Sequence, residues 1–475
     1  MTDLWALGAS ELAGMIRARE VTSVEVVEAH LARIESVNPS VNAIVEVVAK
    51  EALTDAAAVD LAVGRGDELG PLAGVPITVK DNLDMAGHVT THGSAALAEN
   101  RVTSDSPVVE RIRAAGAIPI ARTNLPDLGL RIHTDSGIHG LTLNPWDPAR
   151  TTSGSSGGEA VALVTGMSPL GLGNDLGGSL RNPATCCSIA AIKPTTGRVP
   201  HAVEGELADE GPVSQAFAAD GPMARTVADV RLGLQVLSGW HVRDPISVPV
   251  PLEEPPPRPR RVAALPEPPG GSVDPRVAEV TRAAAGALTE AGHHVEELVP
   301  PGWDEALAVW EVLVTQELRQ GFELIEPLLS ADAATLLRLI MPETHDPDEV
   351  AGAWLQRIGA MRIWAEFFTE WDAVLTPTWT ELPFPVGYDV SSAEGARNVL
   401  EMARPVMPGN ALGLPSAAVP AGLVDGLPVG VLVTGAAWNE LLCLEVAETI
   451  EASGLAPSTP IDPPQSRVTE PDISG

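Results

Sequence analysis

Cysteine is nearly absent from this sequence: Cys186, Cys187 and Cys443 are the only three in 475 residues. Two adjacent thiols are poorly placed to pair with each other, and no C-x-x-C pair occurs. Neither a disulfide framework nor a structural zinc site is expected, and reduced thiols suit a cytoplasmic protein. Positive charge is also scarce. Against 63 Asp and Glu stand 30 Lys and Arg, a formal net charge of −33. A surface that acidic repels nucleic acid and anionic membranes, so neither is expected as a partner. No uncharged apolar run reaches the ~18–20 residues of a membrane-spanning helix. The opening MTDLWALGASELAGMIRARE has neither the basic start nor the apolar stretch of a secretory signal.

What is present is hydrophobic residue in quantity, 45% of the chain, enough for a large core. Thr22 or Ser23 can cap a helix carrying Val24, Val27, Ala29, Leu31 and Ile34 and ending before Pro39. GVPITVKDN then reads as a buried strand, Val75 to Val79, running into Lys80. SPVVERIRAAGAIPIARTN reads as helix then strand, AVALVTG as a helix stopped by Gly166, and SPLGLGND as a strand entering a glycine turn. Such alternation predicts a layered α/β fold.

The proline-rich 249–261 reads as an exposed connector, after which strand and helix resume. Residues 303–371 are expected to be mostly helical, with Trp303, Trp310, Trp354, Trp364 and Trp371 chiefly in the core. Three further strands follow in DAVLTPT, PSAAVPAG and PVGVLVTG. An amphipathic helix capped by Asn439 closes the fold, and the tail 456–475 is expected to pack poorly. Strands near both ends can join one sheet, so residues 1–475 are read as one domain. Its core is expected at about 60–240 and 405–455, with a variable helical region at about 300–400.

The chemistry turns on TTSGSSGGEA, Thr151 to Ala160, which at first resembles a flexible linker. A phosphate-binding loop is disfavoured, because no G-x-x-x-x-G-K-[ST] occurs and Gly171, Gly173 and Gly177 miss the dinucleotide spacing. Gly154 to Gly158 satisfies G-x-S-x-G around Ser156, but NPWDPARTT before it cannot be the buried strand a nucleophile elbow requires. A third reading joins Lys80, the serines of SGSSGG, and Ser179 in DLGGS. A serine needs a base, and a lysine buried among Val75, Ile77 and Val79 can be one, with a second serine relaying the proton. The double glycine before Ser179 can aim backbone N–H groups at one point, as an oxyanion hole requires.

Here the sequence resembles the amidase-signature hydrolases over about residues 5–455. The resemblance runs through LAGVPITVKDNLDMAG, GAIPIARTNLPDLG, SGSSGGEAVALVTGMSPLGLGNDLGGSLRNPA, AAIKPTTGRVP, DGPMARTVADV and GNALGLPSAAVPAGLVDGLPVGVLVTG. It implies a large twisted mixed β-sheet covered on both faces by helices. It implies Ser179 as nucleophile, Ser155 as bridging serine on a cis peptide bond, and Lys80 as base. Leu176, Gly177, Gly178 and Ser179 match the oxyanion-hole N–H groups. Ser156, Asp175 and Arg181 match residues that hold the loop, and the Gly129 carbonyl is placed to accept from the leaving nitrogen.

The chain departs from the family pattern at Asn174, where Thr or Ser is usual, at Leu180, and in TCCS. Asn182 and the adjacent cysteines are expected at the pocket wall or in the packing behind it, with no catalytic part.

The implied reaction is hydrolysis of an amide, ester or carbamate through an acyl-serine, without metal or cofactor, by a monomer or homodimer. Family substrates include aryl and fatty amides, peptide amides, malonamide, allophanate, nylon oligomers and urethanes. Specificity is expected from 200–220 and 303–400, with Phe217, Trp310, Leu313 and Met341 as pocket candidates and small apolar or aryl groups favoured. The alternative is the glutamine-hydrolysing component of a tRNA-dependent amidotransferase (transamidation) complex.

Overall fold

The computed structural model, which describes residues 3–204, 211–341 and 345–464, has thirteen strands, most of the longer ones apolar. They are β1 (Ile44–Val47), β2 (Pro76–Lys80), β3 (Ile118–Thr123), β4 (Asp135–Ser136), β5 (Gly140–Leu141), β6 (Leu170–Asp175) and β7 (Ala190–Lys193). They continue with β8 (Ala219–Ala224), β9 (Arg261–Ala264), β10 (His294–Glu297), β11 (Ala373–Pro377), β12 (Ser416–Val424) and β13 (Leu427–Gly435). Eleven of these make one mixed sheet in the order β1-β3-β2-β6-β8-β7-β12-β13-β11-β9-β10, while β4 and β5 form a separate ribbon. β3, β2 and β6 run parallel to one another, and β6, β8, β7, β12, β13 and β11 are joined by antiparallel pairings.

Side chains alternate across a strand, and in the central strands both faces are buried. Ile77, Val79, Ala190, Ile192, Ala417, Val419, Val431 and Val433 belong to one apolar cluster, beneath the helices Ala9–Ala18, Pro107–Ala114, Val227–Leu237 and Glu440–Ala452. Ala191, Ala418 and Leu432 point the other way, to a second cluster beneath Ser23–Val41, Ala49–Arg65, Gly157–Val164 and Arg181–Cys187. A third cluster gathers Phe217, Trp303, Trp310, Trp364 and Trp371 around the helices Trp303–Ile325 and Pro347–Phe367. The tryptophans are thus mainly core, as expected.

Several local expectations need correction. The first long helix runs through Pro39 to Val41. A proline in the last turn forfeits one backbone bond. Buried Val37 and Val41 anchor that turn, and Asn38 Oδ1 accepts the N–H groups of Ala43 and Ile44 at 2.9 and 2.8 Å. Its inward face is Val26, Val27, His30 and Ile34, with Val24, Ala29 and Leu31 only half-buried. Thr22 caps it, in a reciprocal capping box with Glu25. Asn439 occupies the N-cap of Glu440–Ala452 without a side-chain cap bond.

The connector 249–261 is largely exposed, but Arg260 is buried and paired with Glu445 at 2.7 Å. The described part of the tail is tied down: the Ile461 N–H donates to the Val164 carbonyl at 2.9 Å and Arg33 meets Asp462. Residues 465–475 of that tail lie outside the described residues, as do 205–210 of the expected specificity segment.

Candidate active site

Two parallel neighbours place the key groups. β2 ends on Lys80 and β6 ends on Asn174 and Asp175, and the pairing Val79–Leu172 brings those ends together. In α/β sheets, ligands bind beyond the carboxyl ends of the strands, where connecting loops converge.

Lys80 is fully buried, but not for the expected reason. Ile77 and Val79 lie on the opposite face, in the first apolar cluster. Alternation turns Thr78 and Lys80 toward Gly157–Val164 instead, where Thr78 donates to Glu159. Lys80 Nζ lies 2.7 Å from Ser155 Oγ and 2.7 Å from Asn174 Oδ1. Burial pushes its pKa down to about 7, against the pull of Asp175, Asp220 and Glu159. Burial likewise pushes the Glu159 carboxyl up to about 7, against hydrogen bonds from Thr78 and Thr123 and the charge of Lys80. Sequence reading assigned Glu159 no part.

The segment TTSGSSGGEA is the reverse of a linker. From Thr151 to Ala160 every residue is buried. The Gly154–Ser155 peptide is cis, as the resemblance implied. Thr134 Oγ1 donates to the Ser153 carbonyl at 2.8 Å and accepts the Gly157 N–H at 3.1 Å. A Cβ at Gly158 would sit 2.5 Å from the backbone of Asn124, so glycine here serves close packing. Ser156 acts through its backbone: its N–H donates to the Ser179 carbonyl at 3.2 Å, while its buried hydroxyl has no partner among the described residues. No strand leads into it.

Ser179 is half-buried and lines the same cavity as Ser155. Its loop is folded around Asp175, which accepts the N–H of Gly178 at 2.8 Å and of Leu180 at 3.1 Å. Arg181 reaches Asp175 through Nε and Nη2 at 2.9 and 2.8 Å, and Asn410 Nδ2 adds a bond at 3.0 Å. Burial opposes the negative charge, but Arg181 and the hydrogen bonds outweigh it and hold the Asp175 carboxyl well below the usual range.

The Gly178 N–H, expected in the oxyanion hole, is therefore engaged by Asp175, and with φ +99° the residue supplies the turn. The N–H groups of Leu176, Gly177 and Ser179 donate to no described residue. Gly129 packs against Ser155, where an added Cβ would lie 3.2 Å from Oγ. Asn182 bonds the Gly177 carbonyl at 3.1 Å and accepts from Trp379 at 2.9 Å, behind the loop. Cys186 and Cys187 are buried, with thiol pKa values pushed up by that burial.

The cavity holds about 230 Å³. Its apolar wall includes Leu128, Ile132, Trp310, Val314, Leu337 and Met407. Of the four expected pocket residues only Trp310 lines it. Phe217 and Leu313 point into the third apolar cluster, and Met341 follows the helix whose Ile340 faces the cavity. Trp310, Val314 and Leu318 recur every four residues and form one helical face, from which Leu313 is rotated away. Arg131, a buried member of the lining, is bonded to Asp389 at 2.6 and 3.1 Å. Among the described residues no group of His, Cys, Asp and Glu could hold a metal ion, and no helix is long and apolar enough to cross a membrane.

An indoleacetamide hydrolase of Bradyrhizobium diazoefficiens is 40% identical over 465 residues, 94% of this chain and 86% of that protein. An acylamidase of Rhodococcus erythropolis is 32% identical over 466 residues, 95% of this chain and 96% of that one. Among solved structures, a 6-aminohexanoate cyclic dimer hydrolase with bound substrate superposes with a TM-score of 0.83 at 28% identity, covering 98% of this chain and 99% of that one. The amidase family model matches residues 25–444. A match of that extent, on a large mixed sheet of the same fold, means that the chain belongs to the amidase family, as an amidase-signature hydrolase of C–N amide bonds.

Proposed function

We propose that this hydrolase cleaves small, uncharged amides with apolar or aryl acyl groups, through an acyl-enzyme on Ser179. Neutral Lys80 takes the proton of Ser155 across the 2.7 Å contact as Ser155 takes the proton of Ser179. Ser179 Oγ adds to the carbonyl carbon, and the oxyanion lies near the N–H groups of Leu176, Gly177 and Ser179, which donate to no described residue. The proton returns through Ser155 to the leaving nitrogen, whose N–H faces the Gly129 carbonyl. The C–N bond breaks to release the amine, and water attacks the acyl-serine by the same relay. Esters and carbamates present an oxyanion at the same place.

One observation carries the substrate class: the wall is mainly apolar, and its ionisable side chains are already paired within the protein. Arg131 is bonded to Asp389, Asp175 to Arg181, and His201 Nδ1 to Asp220 at 2.9 Å. Glutamine would bring an ammonium and a carboxylate with no uncommitted partner among these groups, and burying them so costs heavily. That weighs against a part in transamidation. The relative acting on indoleacetamide fits an aromatic acyl group.

The test is a panel of arylacetamides, anilides, aliphatic amides, p-nitrophenyl esters, aryl carbamates and glutamine, run beside Ser179→Ala. The expected order puts aryl substrates at least about 100-fold above glutamine in kcat/KM, with Ser179→Ala inert on all. Glutamine as best substrate would reassign the protein to ammonia supply. Wild-type turnover by Ser179→Ala would end the acyl-serine mechanism.

A further inference from the structure

We propose that Asn174 is the positioning residue for Lys80, its carboxamide oxygen holding one Nζ–H so that the lone pair of the neutral amine faces Ser155. The inference rests on the reading of Lys80 as base and adds a part for the residue beside it.

A neutral amine has two N–H groups and one lone pair, and it turns freely about Cε–Nζ. To take a proton from Ser155 the lone pair must point at Oγ. The hydrogen bonds of Nζ are to Ser155 and Asn174 alone among the described residues, both at 2.7 Å. Asn174 lies on β6, paired with Asp220 of β8, so the sheet fixes its place. A carboxamide oxygen can only accept, which commits it to an N–H of Lys80. A hydroxyl in that position could also donate to the lone pair and compete with Ser155.

The other groups facing Lys80 are ionisable: Glu159 on the helix Gly157–Val164, Asp175 on β6 and Asp220 on β8. Each draws the lysine toward its charged, inactive form. Asn174 is the neutral neighbour, and it orients the base without adding to that pull.

The experiment measures kcat, KM and the pH dependence of kcat/KM on one anilide for the wild type, Asn174→Ala and the isosteric Asn174→Asp. Circular dichroism establishes the fold of each, and Lys80→Ala and Ser179→Ala run alongside. Asn174→Ala is expected to lose about tenfold or more in kcat with KM within about twofold, part of the usual contribution of a base. Asn174→Asp puts a negative charge against Lys80, raises its pKa, and moves the acid limb of the profile up by about 1 pH unit or more. Should Asn174→Ala not fold, the shift in Asn174→Asp still decides. Profiles that overlay the wild type, with Lys80→Ala and Ser179→Ala inert, would overturn the role of Asn174 alone. Turnover by either of those two would overturn the mechanism beneath it.

Discussion

Among individual residues, Lys80 must be neutral for the proposed proton relay to run. Lys80 is buried, its pKa is pushed to about 7, and Glu159 nearby is pushed up to about 7. The protonated lysine cannot accept a proton, so kcat/KM rises with pH through about 7 and levels off above it. The two groups interact, so the limb belongs to the pair. Removing the carboxylate in Glu159→Gln removes an anion that favours charged lysine, and the limb moves to lower pH. Stopped assays on an anilide across pH 5–9 (roughly the range in which the pair titrates) check both. A flat profile, or an upward shift in Glu159→Gln, would contradict the account. That Lys80, Ser155 and Ser179 gather at one place was legible because spaced motifs carry them. Asn410 was not: it contacts Asp175 across 235 residues, and nothing local in GNALGLP announces that partner. The expected burial of Lys80 was right and its cause wrong, because Val75, Ile77 and Val79 share a parity that Lys80 does not.

Among the secondary-structure elements, the helix Trp303–Ile325 lines the cavity with one face, and the proposed substrate preference makes that face the wall of the acyl pocket. Val314 lies between Trp310 and Leu318 on the cavity wall and is 5% exposed. Val314→Trp fills space that an aryl group needs. It is expected to lower kcat/KM at least about tenfold for arylacetamides while leaving acetamide within about threefold, since pocket volume discriminates by a few kcal/mol at most. Equal losses on both, measured in the same panel, would show that the helix does not shape the acyl pocket. Sequence periodicity found this helix but not which stripe faces the cavity, because Leu313 and the cavity-lining Trp310 and Val314 all pack into one apolar cluster. Strands were more legible than caps: buried β-runs are continuous, whereas whether Thr22 caps and Asn439 does not depends on side-chain geometry.

At the scale of the molecule, one sheet draws on strands from residue 44 to residue 435 and joins parallel and antiparallel segments. Lys80, Ser155 and Ser179 come from three separate stretches, delivered by β2, a buried loop and the turn after β6. The fold class was readable from alternating helix and strand signals, but the strand order was not, since pairings such as β6 with β8 and β7 with β12 skip neighbours in sequence. In the proposed mechanism Ser179 is the one of three nearby serines that forms the covalent bond, with Ser155 as relay and Ser156 bonded through its backbone N–H to the Ser179 carbonyl. Reaction with a fluorophosphonate, followed by peptide mapping by mass spectrometry, tests it most directly. A single adduct on Ser179, abolished by Ser179→Ala, is the expected result. An adduct on Ser155 or Ser156, or undiminished labelling of Ser179→Ala, would contradict it.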